Sequence, residues 1–142
     1  MIKKIFRVLF PIIGGGIVSL LIMGNMETYN GLNKPPLSPP SIVFPIVWTI
    51  LYLFIGLAYN KYREDNDNKE TIILYYLQLA LNFIWPILFF NLNLYLVALI
   101  ILLALLILTY ILTRTLNSKL FIPYIIWLVI ATYLNIGIVI LN

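Results

Sequence analysis

The chain contains no cysteine and no histidine. Disulfides, thiol chemistry, zinc sites built on Cys or His, and a catalytic histidine are therefore excluded. A haem iron held by an axial His or Cys is excluded as well. The sequence indicates neither a metal site nor a required cofactor, so any ligand would be held by other side chains.

Charge is also scarce. Charged residues make up 10% of the 142 residues, whereas an ordinary soluble domain carries about 25%. Hydrophobic residues make up 63%. Because a helix needs about 20 apolar residues to cross a hydrocarbon core, long uncharged stretches indicate membrane spans. Four stretches reach that length: residues 8–26, 35–60, 71–113 and 120–142.

The third stretch is long enough for two crossings, and the polar run Asn91-Leu92-Asn93 interrupts it at its middle. The sequence therefore predicts an all-α membrane protein, a five-transmembrane-helix bundle that forms a single domain over residues 1–142. The predicted helices lie at about 6–26, 41–60, 70–90, 94–113 and 120–141. Three of their connections, 61–69, 91–93 and 114–119, are short, so we expect neighbouring helices to pack antiparallel.

The basic residues predict the orientation. All of them except Lys34 lie at the N-terminus or in loops on the same side of the predicted bundle: Lys3, Lys4, Arg7, Lys61, Arg63, Lys69, Arg114 and Lys119. Since basic residues stay preferentially in cytoplasmic loops, we expect a cytoplasmic N-terminus and an outside C-terminus.

The net charge of +4 is explained by these flanks and by contact with anionic lipid, and it does not indicate nucleic-acid binding. A cleaved signal peptide is the alternative interpretation of the N-terminus, but the apolar run is long and lacks an A-x-A-like site.

One loop is long and rich in proline. Residues 27–40 read ETYNGLNKPPLSPP, and four prolines fix φ and remove donors, so the sequence predicts a non-helical, stiff cap over the outer end of the bundle. Within the first predicted helix, Gly14-Gly15-Gly16 predicts a notch for close helix packing, with a hinge as the alternative.

Three predicted helices each carry aromatic residues on a single face. The face of the second helix has Phe44, Trp48, Leu51 and Tyr52; that of the third has Gln78, Asn82, Trp85 and Phe89; that of the fifth has Trp127, Ala131, Leu134 and Asn135. Aromatic area with a few amides is typical of a mostly apolar ligand pocket. The alternative is a set of interfacial aromatic residues and of amides that bond helix to helix.

These residues resemble the signature of the translocator protein family, TspO/MBR, also called tryptophan-rich sensory proteins. The run KPPLSPP, Lys34 to Pro40, with Phe44-Pro45-x-x-Trp48-Thr49-x-Leu51-Tyr52 and Gly56, is similar to its K-P-x-W-x-P-P…W-x-x-L-Y…G pattern. The block from Gln78 to Phe90 resembles its Q-x-x-L-N-x-x-W-S/P-x-x-F-F pattern. The block from Pro123 to Asn135 resembles its P-Y-x-x-W-x-x-x-A-x-x-L-N pattern.

The resemblance implies a five-helix bundle of the bacterial type, often a homodimer in the bacterial cell membrane. It implies binding of porphyrins such as protoporphyrin IX, and in mitochondrial relatives of cholesterol and isoquinoline-carboxamide or benzodiazepine-type drugs. Carried over by position, the ligand-binding residues would be Pro39, Pro40, Phe44, Trp48, Asn82, Trp85, Phe89, Trp127, Ala131 and Leu134. Tryptophans at the positions of Trp48 and Trp127 are linked in bacterial relatives to light-dependent porphyrin breakdown.

The sequence departs from the family pattern in two regions. Leu37 replaces the tryptophan of K-P-x-W, and Thr28 stands where another tryptophan often precedes Tyr29, so the predicted cap is less aromatic. After Tyr133 there is no Lys or Arg, so the cholesterol-associated pattern at the end of the fifth helix is missing. A sterol ligand is therefore not expected.

Three functions follow as hypotheses. The first is a membrane receptor or carrier for a flat apolar molecule, a tetrapyrrole, with Lys34 either pairing with a propionate or simply solvated in its loop. The second is a light-dependent porphyrin-degrading enzyme in which Trp48 and Trp127 donate electrons. The third is a small-molecule transporter or scaffold, although inverted repeats and broken helices are not evident.

Overall fold

The computed structural model describes residues 1–142 and contains helices but no strands. The helices are α1 (Ile2–Ile22), α2 (Met26–Asn30), α3 (Val43–Asp65), α4 (Lys69–Pro86), α5 (Tyr95–Leu116) and α6 (Ile122–Leu141). A 3₁₀ turn joins α1 to α2, a π-helical turn at Ile87–Asn91 extends α4, and a 3₁₀ turn at Lys119–Phe121 leads into α6. Five of the resulting segments are long and apolar enough to cross a membrane, which confirms the predicted five-helix membrane bundle.

The helices form a closed ring around one core. Starting from α3, the order of neighbours is α1, α4, α5 and α6, and the ring closes where α6 returns to α3. The α1–α3 contact is the most extensive. Between α3 and α6, by contrast, contacts concentrate at the 119–121 turn and are sparse further along. The N-terminus, residues 66–68 and residues 117–118 lie at one end of the ring, which we call the basic end.

The observed helices extend beyond several predicted boundaries. Residues 27–30, which we predicted to be non-helical, form most of α2; the first proline of the loop comes only at Pro35, so nothing prevents a helix before Gly31. Likewise α3 continues to Asp65 and α5 to Leu116, through polar positions that we assigned to loops. A membrane helix need not end where charge begins, because its last turns project into water.

Close packing of α1 on α3 depends on glycine. A Cβ on Gly15 would overlap the Tyr52 ring, and a Cβ on Gly56 would lie 2.8 Å from the backbone oxygen of Val8. These positions confirm that small residues let the two helices approach closely. Gly16 differs, because a Cβ there would have nothing within 4 Å.

Candidate functional site

The tryptophans predicted on α3 and α6 meet inside the bundle. The rings of Trp48 and Trp127 are 6.2 Å apart and nearly perpendicular. Tyr52 stacks on Trp48 at 5.6 Å, and Phe44 lies edge-on to Trp127 at 5.6 Å. The side chains are buried, with exposures of 1% to 7%. The helical faces read from the sequence therefore converge on one aromatic cluster.

A second set of rings comes from α2 and from the end of α4. Trp85 stacks on Phe89 at 5.0 Å, and Phe90 joins this set to Phe44 at 5.4 Å. Tyr29 lies edge-on to Phe44 at 5.2 Å. Together the two sets form the aromatic core, whose members are Tyr29, Phe44, Trp48, Tyr52, Trp85, Phe89, Phe90 and Trp127.

Most predicted site residues lie in or beside this core. Leu51, Ala131 and Leu134 are buried next to it, with exposures of 0% to 2%. Pro39 is only half-buried and Pro40 is exposed, so neither proline lines the interior.

The prediction omitted Tyr29, Phe90 and Tyr124 as site residues. Tyr124 precedes Trp127 by three positions on the same helical face, so the spacing could have identified it. Phe89 and Phe90 are both buried because the π-helical turn at Ile87–Asn91 changes the period there. No sequence spacing indicates that turn.

Amides and phenols in the core form bonds between helices. Asn82 accepts from the Tyr52 hydroxyl at 2.7 Å and donates to the Tyr124 oxygen at 2.6 Å. The Tyr124 hydroxyl donates to Gln78 Oε1 at 2.8 Å. This chain links α3, α4 and α6, and it uses the Asn82 side chain that the resemblance assigns to ligand. A network satisfied in this way holds a core in one arrangement.

The three tryptophans differ in their indole N–H groups. Trp85 donates its N–H to Asn135 Oδ1 at 3.0 Å. The N–H groups of Trp48 and Trp127 are buried and have no hydrogen-bond partner. Buried donors without partners are rare and costly in proteins. The aromatic core thus offers two free donors on adjacent rings and no charged group.

The core is closed in this conformation. A cavity of about 10 Å³ lies beside Phe44 and Trp48, room for about one water molecule. Pockets for drug-sized ligands have volumes of about 300–1,000 Å³. A groove of about 260 Å³ on the outside of the α3–α6 contact is lined by Leu51, Trp127 and neighbouring aliphatic residues. A large flat ligand can therefore reach the core only if side chains or helices move.

The proline-rich segment, residues 31–42, is fastened to both α2 and α6. The Tyr29 hydroxyl donates to the Pro39 carbonyl at 2.6 Å. Asn33 and Asn142 exchange two hydrogen bonds, at 3.2 and 2.8 Å. The Tyr133 hydroxyl donates to the Pro36 carbonyl at 2.6 Å. The segment therefore lies against the bundle and is not a free loop.

Lys34 has a structural role within this segment. Its ammonium group donates to the carbonyls of Tyr29, Asn30 and Leu32 at 3.1, 3.1 and 3.3 Å. It also lies 4.9 Å above the centre of the Tyr29 ring. An ammonium has three donors, and each of them meets one of these carbonyls, two at the end of α2 and one in the proline-rich segment. The arrangement leaves no donor for a ligand propionate.

This fold and site define a class: a five-helix membrane protein whose inner faces meet in an aromatic, amide-linked core. The chain belongs to the TspO/MBR family, whose model matches residues 7–141. It is 37% identical over 124 residues to the tryptophan-rich protein TspO of Archaeoglobus fulgidus, covering 80% of this chain and 79% of that protein. It is 38% identical over 128 residues to the translocator protein homolog of Schizosaccharomyces pombe, covering 82% and 78%. A tryptophan-rich sensory protein of Cereibacter sphaeroides is 33% identical over 115 residues, covering 77% and 73%.

Proposed function

We propose that the protein is a membrane receptor or carrier that binds a tetrapyrrole such as protoporphyrin IX in its aromatic core. Isoquinoline-carboxamide and benzodiazepine-type molecules are flat and apolar too, and we expect them to compete for the same site. The observation that carries the proposal is the pair of unpaired indole N–H groups on Trp48 and Trp127. A ligand with a ring nitrogen or a carbonyl would accept these hydrogen bonds while its ring system stacks among the aromatic side chains.

Binding requires the core to open. Beyond the 119–121 turn the backbones of α3 and α6 approach each other at few points, and the groove outside this contact already reaches Trp127. We therefore expect an apolar ligand to enter from the bilayer between these two helices. The stacking energy of the ligand then replaces the contacts that Phe44 and Trp127 make in the closed core.

Titration of the purified protein with protoporphyrin IX tests the proposal. The shift of the porphyrin Soret band gives the dissociation constant. In a Trp48→Phe/Trp127→Phe variant the affinity should fall about tenfold, because two hydrogen bonds of about 0.5–1.5 kcal/mol each are lost. Phenylalanine keeps an aromatic ring at both positions, so the loss would report mainly on the N–H groups.

Trp85→Phe is the matched control. It makes the same change of side chain at another residue of the aromatic core, but the Trp85 N–H is already bonded to Asn135, so it should cost less porphyrin affinity than the loss of the two free donors. Equal affinity of the wild type and the double variant would contradict the assignment of the site. An equal loss in the Trp85 and double variants would show that packing, and not the free donors, is responsible.

Light-driven porphyrin breakdown is the second candidate function. The contacts of Trp48 with Trp127 at 6.2 Å and with Tyr52 at 5.6 Å favour it, since adjacent rings can pass an electron to the photoexcited porphyrin, with dissolved dioxygen as the oxidant that the breakdown consumes. Illumination of the complex should then bleach the Soret band in the wild type more than in the Trp48→Phe/Trp127→Phe variant at equal occupancy. Equal bleaching in both would argue against this function.

We also propose that the protein lies in a bacterial cell membrane with its basic end in the cytoplasm and its C-terminus outside. The basic side chains at that end support this orientation. Because the chain has no cysteine, a single cysteine placed at Asn117 or at Asn30 can be labelled in intact cells. An impermeant thiol reagent should label Asn30→Cys and spare Asn117→Cys, and the opposite result would reverse the orientation.

A further inference from the structure

The proline-rich segment runs down the side of α6 as well as across the end of the bundle. Asn33 is bonded to Asn142 at the end of the chain. Two residues further on, Pro35 packs where Gly137 has no side chain, and a Cβ on Gly137 would overlap the Pro35 ring. Pro36 is then bonded to Tyr133. Successive residues of the segment thus contact α6 at points progressively further from the C-terminus.

These contacts give the depth that the segment reaches. Tyr133 lies about two helical turns, or about 12 Å, before Leu141, the last residue of α6. Its side chain is about half exposed, at 47%, and its outward neighbours Ile136 and Ile140 are 40% and 74% exposed. These residues belong to a segment apolar enough to span a membrane. The turn that follows Pro36 therefore lies beside the lipid-facing side of α6, below the level of the helix end.

Leu37 is the residue at this turn, and its conformation is unusual in two ways. Its φ is +67°, in the left-handed region that glycine and asparagine adopt most readily. Its side chain is 98% exposed, so it has almost no contact with the protein. A strained backbone that holds a large apolar side chain away from the protein is the kind of outlier that indicates a functional constraint.

The turn is also held from both sides. The Ser38 hydroxyl donates to the Pro35 carbonyl at 2.6 Å, across the turn, and the Tyr133 hydroxyl holds the Pro36 carbonyl. Pro36 comes directly before Leu37 in the turn, and its ring fixes its own φ. The direction of the Leu37 side chain is therefore set by its neighbours and does not result from a loose loop.

We propose that Leu37 inserts into the lipid bilayer, at the boundary between headgroups and acyl chains, and anchors the proline-rich segment to the membrane. In water, the exposed leucine side chain would make no favourable interaction that offsets the strain at its backbone. In the bilayer, burial of its apolar surface is favourable and offsets that strain. The inference does not depend on which ligand the aromatic core binds. It implies that lifting the segment from the bundle end also requires a leucine to leave the lipid.

Site-specific fluorescence tests the anchor, and the absence of cysteine makes the labelling unambiguous. Leu37→Cys and Asn30→Cys, an exposed position near the same end, are labelled with an environment-sensitive nitrobenzoxadiazole probe in lipid nanodiscs. At Leu37 the emission should be shifted to the blue and quenched by lipids carrying a doxyl group high on the acyl chain. Iodide quenching should be about threefold weaker at Leu37 than at Asn30, because the anion is excluded from the apolar region.

Strong iodide quenching at Leu37 with no quenching by doxyl lipids would overturn the proposal, since the side chain would then lie in water. Protection from both quenchers would also overturn it, because a second protein copy would then cover the residue. The unlabelled Leu37→Cys variant gives an independent measurement that does not rely on an apolar probe. Its reaction with a charged, impermeant thiol reagent should be much slower than that of Asn30→Cys in nanodiscs, and equal rates would contradict the anchor.

Discussion

Trp85 donates its indole N–H to Asn135 at 3.0 Å, and this bond joins α4 to α6. Asn135 in turn donates to the backbone carbonyl of Tyr95 at 2.9 Å, which brings in the start of α5. One amide thus connects three helices in the half of the bundle away from the basic end. Trp48 and Trp127 have no such partner, so the tryptophans divide into one that stabilises the bundle and two whose donors are free.

We predict that Trp85 and Asn135 are energetically coupled. A double-mutant cycle with Trp85→Phe and Asn135→Leu should give a coupling energy of about 0.5–2 kcal/mol, the range for hydrogen bonds between membrane helices. The free energy of unfolding of the wild type, the two single variants and the double variant is measured in mixed detergent micelles with an increasing fraction of denaturing detergent. Strictly additive effects would show that the bond contributes nothing beyond packing.

A second prediction compares two buried tyrosines. Tyr124 takes part in two hydrogen bonds, with Asn82 and Gln78, whereas the Tyr75 hydroxyl is buried without a partner. Tyr124→Phe should lower the free energy of unfolding by about 1–3 kcal/mol, because it leaves buried polar groups unpaired. Tyr75→Phe should be neutral or slightly stabilising, since it removes a hydroxyl that makes no bond. Thermal unfolding of both variants in the same detergent provides the comparison, and equal losses would contradict the assigned network.

A third prediction concerns the contact between α1 and α3. At Gly56 an added Cβ would lie 2.8 Å from the Val8 oxygen and 2.9 Å from its Cα, which are backbone atoms and cannot rotate away. Gly56→Ala should therefore destabilise the bundle by about 1–3 kcal/mol. Gly16→Ala is the control, because open space surrounds that position and alanine favours a helix by about 0.5–1 kcal/mol. A shift of the unfolding midpoint in the same direction by both substitutions would contradict the requirement for glycine at position 56.

Sequence patterns predicted the five helices and the inward faces well, for a physical reason. Apolar length and helical period determine which residues lie inside a membrane bundle, so the positions of Trp48, Asn82 and Trp127 on inner faces followed from spacing alone. Which hydrogen bonds these side chains make did not follow. Whether Trp85 or Trp48 meets an amide depends on the axial offset between helices, which no single-helix pattern contains.

The proline-rich segment is a second region whose structure the sequence predicted only in part. We predicted residues 27–40 to be non-helical, which is correct for residues 31–40 but wrong for residues 27–30, because these form most of α2. The docking onto α6 rests on contacts such as Asn33 with Asn142, which are far apart in the chain. The positive φ of Leu37 could not be predicted either, because leucine gives no local signal for that conformation.

The last prediction concerns how the ligand's acid groups are recognised. From the sequence, Lys34 was a candidate partner for a porphyrin propionate, but its three donors bond to the carbonyls of Tyr29 and Asn30 at the end of α2 and of Leu32 just beyond it. Lys34→Met should loosen the proline-rich segment and lower the affinity for protoporphyrin IX and for its dimethyl ester by the same factor, since no charge pair with the ligand is lost. The ratio of the two affinities, measured by Soret titration, should therefore equal the wild-type ratio. A selective loss of about tenfold for the free acid corresponds to about 1.4 kcal/mol, and it would mean that Lys34 leaves its cap to pair with the ligand.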